Sequence, residues 1–166
     1  MRHKIFALLG APGVVFHELG HLFFCLVSGV KVFRVKLFSF KKTAGFVEHA
    51  EPTGLIQSIL ISFGPLTFNS LATLILFARV SPPYFTFLNF ILIWLGFVSA
   101  LHAVPSSGDA ATLSSIAARK LKHWNLLALL CYPFVLVIFF LNFLKRFHLH
   151  FLYAGLLFYL GNLYLK

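Results

Sequence analysis

Acidic residues are scarce in this sequence. Only four of its 166 residues are Asp or Glu, against 14 Lys and Arg, and charged residues make up 11% of the chain. Hydrophobic residues make up 60%, and the mean hydropathy is +0.91. A soluble domain of this size could not bury so much apolar surface. The scarcity of charge therefore excludes an ordinary soluble domain and indicates an integral membrane protein.

Cysteine is also scarce. Cys25 and Cys131 both lie in apolar segments, so we expect no disulfide. The net charge of +10 does not indicate a nucleic-acid partner, because the basic residues cluster between apolar segments, as they do at the cytoplasmic face of membrane proteins. The sequence lacks internal repeats and leaves no room for a second sizeable domain. We therefore expect a single membrane domain over residues 1–166.

Five apolar segments of about 20 residues each predict about five transmembrane helices. They cover residues 5–30, 55–79, 84–104, 124–144 and 147–165. Residues 31–53 differ, because they partly alternate and are rich in β-branched and aromatic residues, which predicts a hairpin. The predicted fold is an all-α integral membrane protein with about five spans and a small membrane-associated β-hairpin after the first.

The first apolar segment contains an HExxH motif, His17-Glu18-Leu19-Gly20-His21. On a helix, His17 and His21 lie one turn apart on one face, where two imidazoles can bind one Zn²⁺ ion. Glu18 beside them can take a proton from a water molecule at the metal. A carboxylate inside a membrane is costly and therefore functional by default. The motif predicts one zinc ion as cofactor and Glu18 as the catalytic residue.

A catalytic zinc site has three protein ligands and one open position, so another segment must supply the third donor. Asp109 is the leading candidate. It is the only acidic residue after Glu51, and it follows a Pro-Ser-Ser-Gly break at the end of the third apolar segment. A simpler interpretation makes Asp109 a helix-initiating residue. Glu48 and His49, on the predicted hairpin, are the alternative ligands.

His102, Asn69 and His49 are the candidate substrate-binding residues. His102 closes the third apolar segment, and it either faces the site or is an interfacial or core histidine. Asn69 lies in the second segment, where it hydrogen-bonds either to substrate or to a neighbouring helix.

With these features the chain resembles the site-2 protease family of intramembrane zinc metalloproteases, as a minimal and divergent member. The resemblance covers roughly residues 5–115, with two additional spans at about 124–165. It is carried by the HExxH motif, the hairpin after it, Gly64-Pro65-Leu66 with Asn69, and Pro105 before Asp109.

The resemblance implies a three-span catalytic core around one zinc ion. It implies that His17, His21 and Asp109 are the ligands and that Glu18 is the general base. The expected function is hydrolysis of peptide bonds in membrane-protein substrates, with the unwound substrate pairing with the edge of the hairpin. A non-proteolytic zinc hydrolase acting on a lipid or small amide is one alternative. A non-catalytic relative that binds zinc or membrane helices is another.

Basic residues predict the orientation in the membrane. If the chain crosses the membrane five times, the N-terminus and the turns at 79–83 and 145–146 share one side, which carries five Lys and Arg. The side of the hairpin carries nine. Because cytoplasmic loops carry more Lys and Arg, we expect the N-terminus outside and the hairpin and C-terminus in the cytoplasm. The expected location is the cell membrane of a prokaryote, with membrane lipid and a transmembrane substrate as partners.

Overall fold

The computed structural model describes residues 2–40, 44–84 and 86–164. Most of these residues are helical. The α-helices are α1 (Arg2–Val27), α2 (Leu55–Ala78), α3 (Phe87–Leu101), α4 (Ser107–Lys122), α5 (Tyr132–Lys145) and α6 (Leu149–Tyr164). A 3-10 helix, Leu126–Cys131, leads into α5, and the strands β1 (Val32–Lys36) and β2 (Phe46–His49) lie between α1 and α2.

Three helical segments in the described ranges are long and apolar enough to cross a membrane: Ile5–Val27, Leu55–Ala78 and Leu126–Lys145. Large apolar side chains on their outer surfaces, such as Phe6 and Ile56, are exposed, which suits contact with lipid. α3 and α6 are apolar but have only 15 and 16 residues, and a straight crossing needs about 20. The prediction of about five spans is therefore not confirmed.

The predicted β-hairpin is confirmed as a two-stranded antiparallel sheet. β1 pairs with β2 in a register that places Lys36 opposite Phe46. Beyond this pair the regular ladder ends, and the backbone N–H of Ser39 donates to the carbonyl of Ala44 across the loop. β1 is therefore shorter than the alternating pattern predicted. Residues 41–43 of the predicted turn lie outside the described residues.

Glycines allow α1 to pack very closely on its neighbours. A Cβ added to Gly20 would lie 2.9 Å from the carbonyl oxygen of Gly64 in α2. A Cβ added to Gly13 would overlap the carbonyl oxygen of Val98 in α3. Neither position can hold a larger residue without moving a helix, and such small residues are the usual means of close packing in membranes. The HExxH segment is thereby fixed against α2 and α3.

α4 and α5 form a pair that packs on the first half of α2. Pro105 keeps α3 from continuing into α4, because it cannot donate a helical hydrogen bond. The apolar faces of α4 and α5 then bury one cluster with α2. Its buried members are Ala110, Leu113, Ala117, Cys131, Val135 and Ile138. Cys25 and Cys131 are both buried and free.

The end of α5 does not lie where five full spans would place it. The sequence prediction put the turn at 145–146 on the same side as the turn at 79–83. Instead, Nζ of Lys145 donates to the carbonyl of Val104, at 3.2 Å. Asn142, also in α5, donates to the carbonyl of Pro105, at 2.8 Å. The end of α5 therefore lies at the level of the break between α3 and α4.

α6 continues from this level alongside the second half of α2. A Cβ added to Gly161 would lie 3.0 Å from the carbonyl oxygen of Leu74 and 3.3 Å from the backbone nitrogen of Ala78. The end of α6 therefore lies beside the end of α2, on the side of the turn at 79–83 and not with the hairpin as predicted. The sequence prediction let every apolar run cross the whole membrane, whereas the hydrogen bonds of Asn142 and Lys145 hold the end of α5 at the break.

Candidate metal centre

α1 presents two imidazoles on one face. His17 and His21 are one helical turn apart, as residues i and i+4 must be, and their ring centroids are 5.1 Å apart. The adjacent crossing at Gly20 presses this face of α1 against α2. The two rings therefore sit between helices and do not project from the outer surface of α1.

Asp109 joins the two histidines from the first turn of α4. Its Oδ1 atom lies 3.4 Å from Nε2 of His21. His17, His21 and Asp109 have metal-ligating atoms that all lie within 4.8 Å of one another, and they are the one such group within residues 2–40, 44–84 and 86–164. Glu48 and His49, the alternative third ligands, do not belong to this group.

Both histidines are oriented by backbone carbonyls. Nδ1 of His17 lies 2.7 Å from the carbonyl oxygen of His102, and Nδ1 of His21 lies 3.0 Å from that of Ile61. A carbonyl can only accept a hydrogen bond, so each Nδ1 carries a proton, and in a neutral imidazole the Nε2 atom then keeps a free lone pair. Such a second hydrogen bond is typical of metal-binding histidines.

The carboxylate of Asp109 is oriented by the start of its own helix. Its Oδ2 atom accepts hydrogen bonds from the backbone N–H of Ser106, at 2.7 Å, and from the Ser106 hydroxyl, at 2.8 Å. The Ser106 hydroxyl in turn accepts the N–H of Asp109, which completes a capping box. Asp109 is thus a helix-initiating residue and also turns Oδ1 towards His21. The two interpretations of the sequence are compatible.

Two imidazole nitrogens and one carboxylate oxygen form a donor set that suits Zn²⁺. Glu18 stands next to this set without belonging to it. It is 8% exposed and lines the same cavity of about 450 Å³ as His17, His21 and Asp109. A Cβ added to Gly45 would lie 2.6 Å from Cγ of Glu18, so the end of the hairpin loop rests on this side chain.

Two of the three candidate substrate-binding residues line the cavity, and the third is buried between helices. His102 and His49 both line the cavity. Asn69 is fully buried between helices instead. Its Nδ2 atom lies 3.3 Å from the carbonyl oxygen of Gly13 and 3.0 Å from that of Ser99. Asn69 therefore connects α2 to α1 and α3, as in the second of the two roles that the sequence left open.

Glu48 points away from the cavity. Its carboxylate lies 3.6 Å from the guanidinium of Arg34 on the neighbouring strand, and both side chains are more than half exposed. It is a solvated strand residue in the structure.

Lys145 is a charged residue of this cavity that the sequence did not reveal. It lines the cavity together with Asp109. A lysine at the end of an apolar segment is usually interfacial, and no local pattern around Lys145 indicates otherwise. Only the packing of α5 against the break brings it here.

No model of a known protein family matches this chain, and neither a curated protein nor a solved structure is detectably similar to it. Its function is therefore inferred from the site.

Proposed function

We propose that this protein is a zinc-dependent intramembrane endopeptidase of the HExxH type, which hydrolyses peptide bonds of membrane-protein substrates near the cytoplasmic side. One observation carries the proposal. His17, Glu18 and His21 lie on a helix long and apolar enough to cross a membrane, and they share one cavity with Asp109, which completes a group able to hold a metal ion. The resemblance to the site-2 protease family supports the same class.

His17 and His21 would bind the ion through Nε2, and Asp109 would bind it through Oδ1. Three protein ligands leave one position open, as catalytic zinc sites do. Zn²⁺, when bound, polarises a substrate carbonyl and makes water more acidic. Glu18 would accept a proton from the attacking water and pass it to the leaving amine. This role requires Glu18 to lie near the ligands without being one, which is its position in the cavity.

β2 supports a polypeptide as the substrate. Phe46, Val47 and His49 of this strand line the cavity. One edge of β2 pairs with β1, and no strand within the described residues pairs with the other. A helical substrate hides its carbonyls in its own hydrogen bonds, so it must unwind before hydrolysis. An extended segment could then pair with the free edge of β2 by strand addition.

Basic residues support a cytoplasmic position for the hairpin. Arg119 at the end of α4 pairs with Glu51, just after β2, and Lys120 donates to the carbonyl of Thr53. The basic end of α4 and the basic β1 therefore lie on one side, which the excess of Lys and Arg assigns to the cytoplasm. We propose the cell membrane of a prokaryote as the location.

The proposal is tested by comparing cells that express the wild-type protein with cells that express Glu18→Gln at the same level. Mass spectrometry of the membrane fraction should find new peptide termini in or near transmembrane segments only with the wild type. Unchanged peptide termini, together with a lipid or small amide that is consumed only by the wild type, would instead identify a non-proteolytic hydrolase. Identical proteomes and lipidomes would indicate a non-catalytic protein.

A further inference from the structure

Pro65 lies in the interior of α2, four residues after Ile61. In an α-helix the N–H of residue 65 would donate to the carbonyl of residue 61. Proline has no N–H, so the carbonyl of Ile61 loses this helical donor. The same carbonyl oxygen lies 3.0 Å from Nδ1 of His21. The imidazole of His21 therefore occupies the position that the proline leaves open.

We propose that Pro65 is a positioning residue for the metal centre. By freeing the carbonyl of Ile61, it fixes His21 with its proton on Nδ1 and directs the unprotonated Nε2 towards Asp109. This inference rests on the proposed zinc site for its functional meaning, although the tautomer itself can be measured without metal.

The packing around Pro65 supports a role in positioning His21 and not only in bending α2. Pro65 is fully buried, and it belongs to the closest contact between α1 and α2. A Cβ added to Gly20 would lie 2.9 Å from the backbone nitrogen and Cα of Pro65. Gly20 immediately precedes His21, so the crossing holds the imidazole next to the freed carbonyl.

His17 is oriented in a similar way. The carbonyl that it contacts belongs to His102, the residue directly after the last residue of α3. The N–H of Ser106, four residues later, is taken by Oδ2 of Asp109. Each of the two imidazoles is therefore held by a carbonyl that has lost its regular helical donor. In regular helices each of these carbonyls would already accept a backbone N–H.

The test is Pro65→Ala, which restores an N–H at residue 65, and its matched control is Pro12→Ala. Pro12 is the interior proline of α1, and the carbonyl four residues before it belongs to Leu8, which is not in the cavity lining. The first readout is ¹⁵N NMR of the imidazoles in the metal-free protein, assigned with single-histidine variants. The second is zinc affinity, measured by competition with a chelator.

We expect the wild type and Pro12→Ala to hold His21 as the Nδ1–H tautomer and to bind zinc alike. In Pro65→Ala we expect a substantial Nε2–H population and a zinc affinity about 10–100-fold weaker, the usual cost of losing an outer-shell partner. An unchanged tautomer and affinity in Pro65→Ala would overturn the proposal. If Pro65→Ala fails to fold, the wild type alone still tests the proposal: an Nε2–H tautomer of His21 in the metal-free wild type would overturn it.

The two proposals fail in distinguishable ways. A wild type that binds zinc but cleaves nothing would contradict the proposed peptidase and leave the ¹⁵N and affinity results as a test of Pro65. Loss of the Nδ1–H tautomer in Pro65→Ala would support the role of Pro65 whatever the substrate is.

Discussion

Nε2 of His21 lies 3.4 Å from Oδ1 of Asp109, although the two residues belong to helices that are far apart in the chain. Each side chain makes a hydrogen bond to the backbone through an atom other than the one that faces its partner. His21 is bonded to the carbonyl of Ile61, and Asp109 is bonded to the N–H of Ser106. The facing atoms are therefore oriented by the backbone that contacts each side chain. Hydrogen bonds of this kind are typical of metal-binding side chains.

Asp109→Ala should release most of the zinc. The loss of affinity should exceed the roughly 10–100-fold cost of removing an outer-shell partner, because a direct ligand is removed. The side-chain half of the capping box also disappears, which should lower the free energy of unfolding by up to about 1 kcal/mol. Zinc content after dialysis and thermal unfolding measure the two effects. Glu48→Ala and His49→Ala are the controls and should keep the metal. Zinc retained in Asp109→Ala but lost in either control would move the third ligand to the hairpin.

Gly45→Ala should reduce turnover while zinc stays bound. The new methyl group would lie 2.6 Å from Cγ of Glu18 and 2.9 Å from the carbonyl oxygen of Leu37, so either Glu18 or the hairpin must shift. Neither movement removes a ligand. The measurements are cleavage rate and zinc content of the same preparation. Gly155→Ala is the matched control, because a Cβ there meets no atom within 4 Å. Wild-type turnover in Gly45→Ala would show that the hairpin does not constrain Glu18.

Cysteine labelling tests the arrangement of the last two helices. Lys36, Pro82 and Tyr164 are all exposed. With an impermeant reagent added outside, cysteines at 82 and 164 should react and one at 36 should be protected, because α6 ends beside the end of α2. The buried native cysteines should stay unlabelled. Protection at 164 with reaction at 82 would restore the original five-span prediction, and reaction at 36 alone would reverse the orientation.

Lys145→Met should tighten zinc binding. The ammonium group shares the cavity with Asp109 and repels a zinc ion that binds there. Removing one charge near the site should raise affinity by up to about tenfold, which corresponds to about 1.4 kcal/mol. Lys145→Arg keeps the charge and should bind zinc as the wild type does. A loss of zinc in Lys145→Met as severe as in Asp109→Ala would mean that Lys145 acts mainly by holding the break at Val104.

The features that the sequence predicted are local ones. A spacing of four residues fixes the relation of His17 to His21 on any helix, and alternation with a turn specifies the hairpin. Pro105 marks the break that carries Asp109, because proline cannot continue a helix. These patterns act within a few residues, so they can be read without knowing the fold.

The features that escaped prediction depend on packing between distant segments. Lys145 and the course of α6 follow from how α5 meets the break, and apolar composition is equally consistent with a full crossing. The choice between two roles for Asn69 needed the positions of Gly13 and Ser99 on other helices. Helix crossings in a membrane are set by shape and by single small residues, and these leave a weak signal in one sequence.

The most direct test of the central claim uses the purified protein in lipid vesicles with a membrane-spanning substrate. Cleavage and zinc content are measured together for the wild type and for Glu18→Gln. We expect about one zinc per chain in both proteins, with cleavage by the wild type alone, because Glu18 moves protons and does not bind the ion. Cleavage by Glu18→Gln at the wild-type rate, or a wild type that cleaves without zinc, would rule out this mechanism.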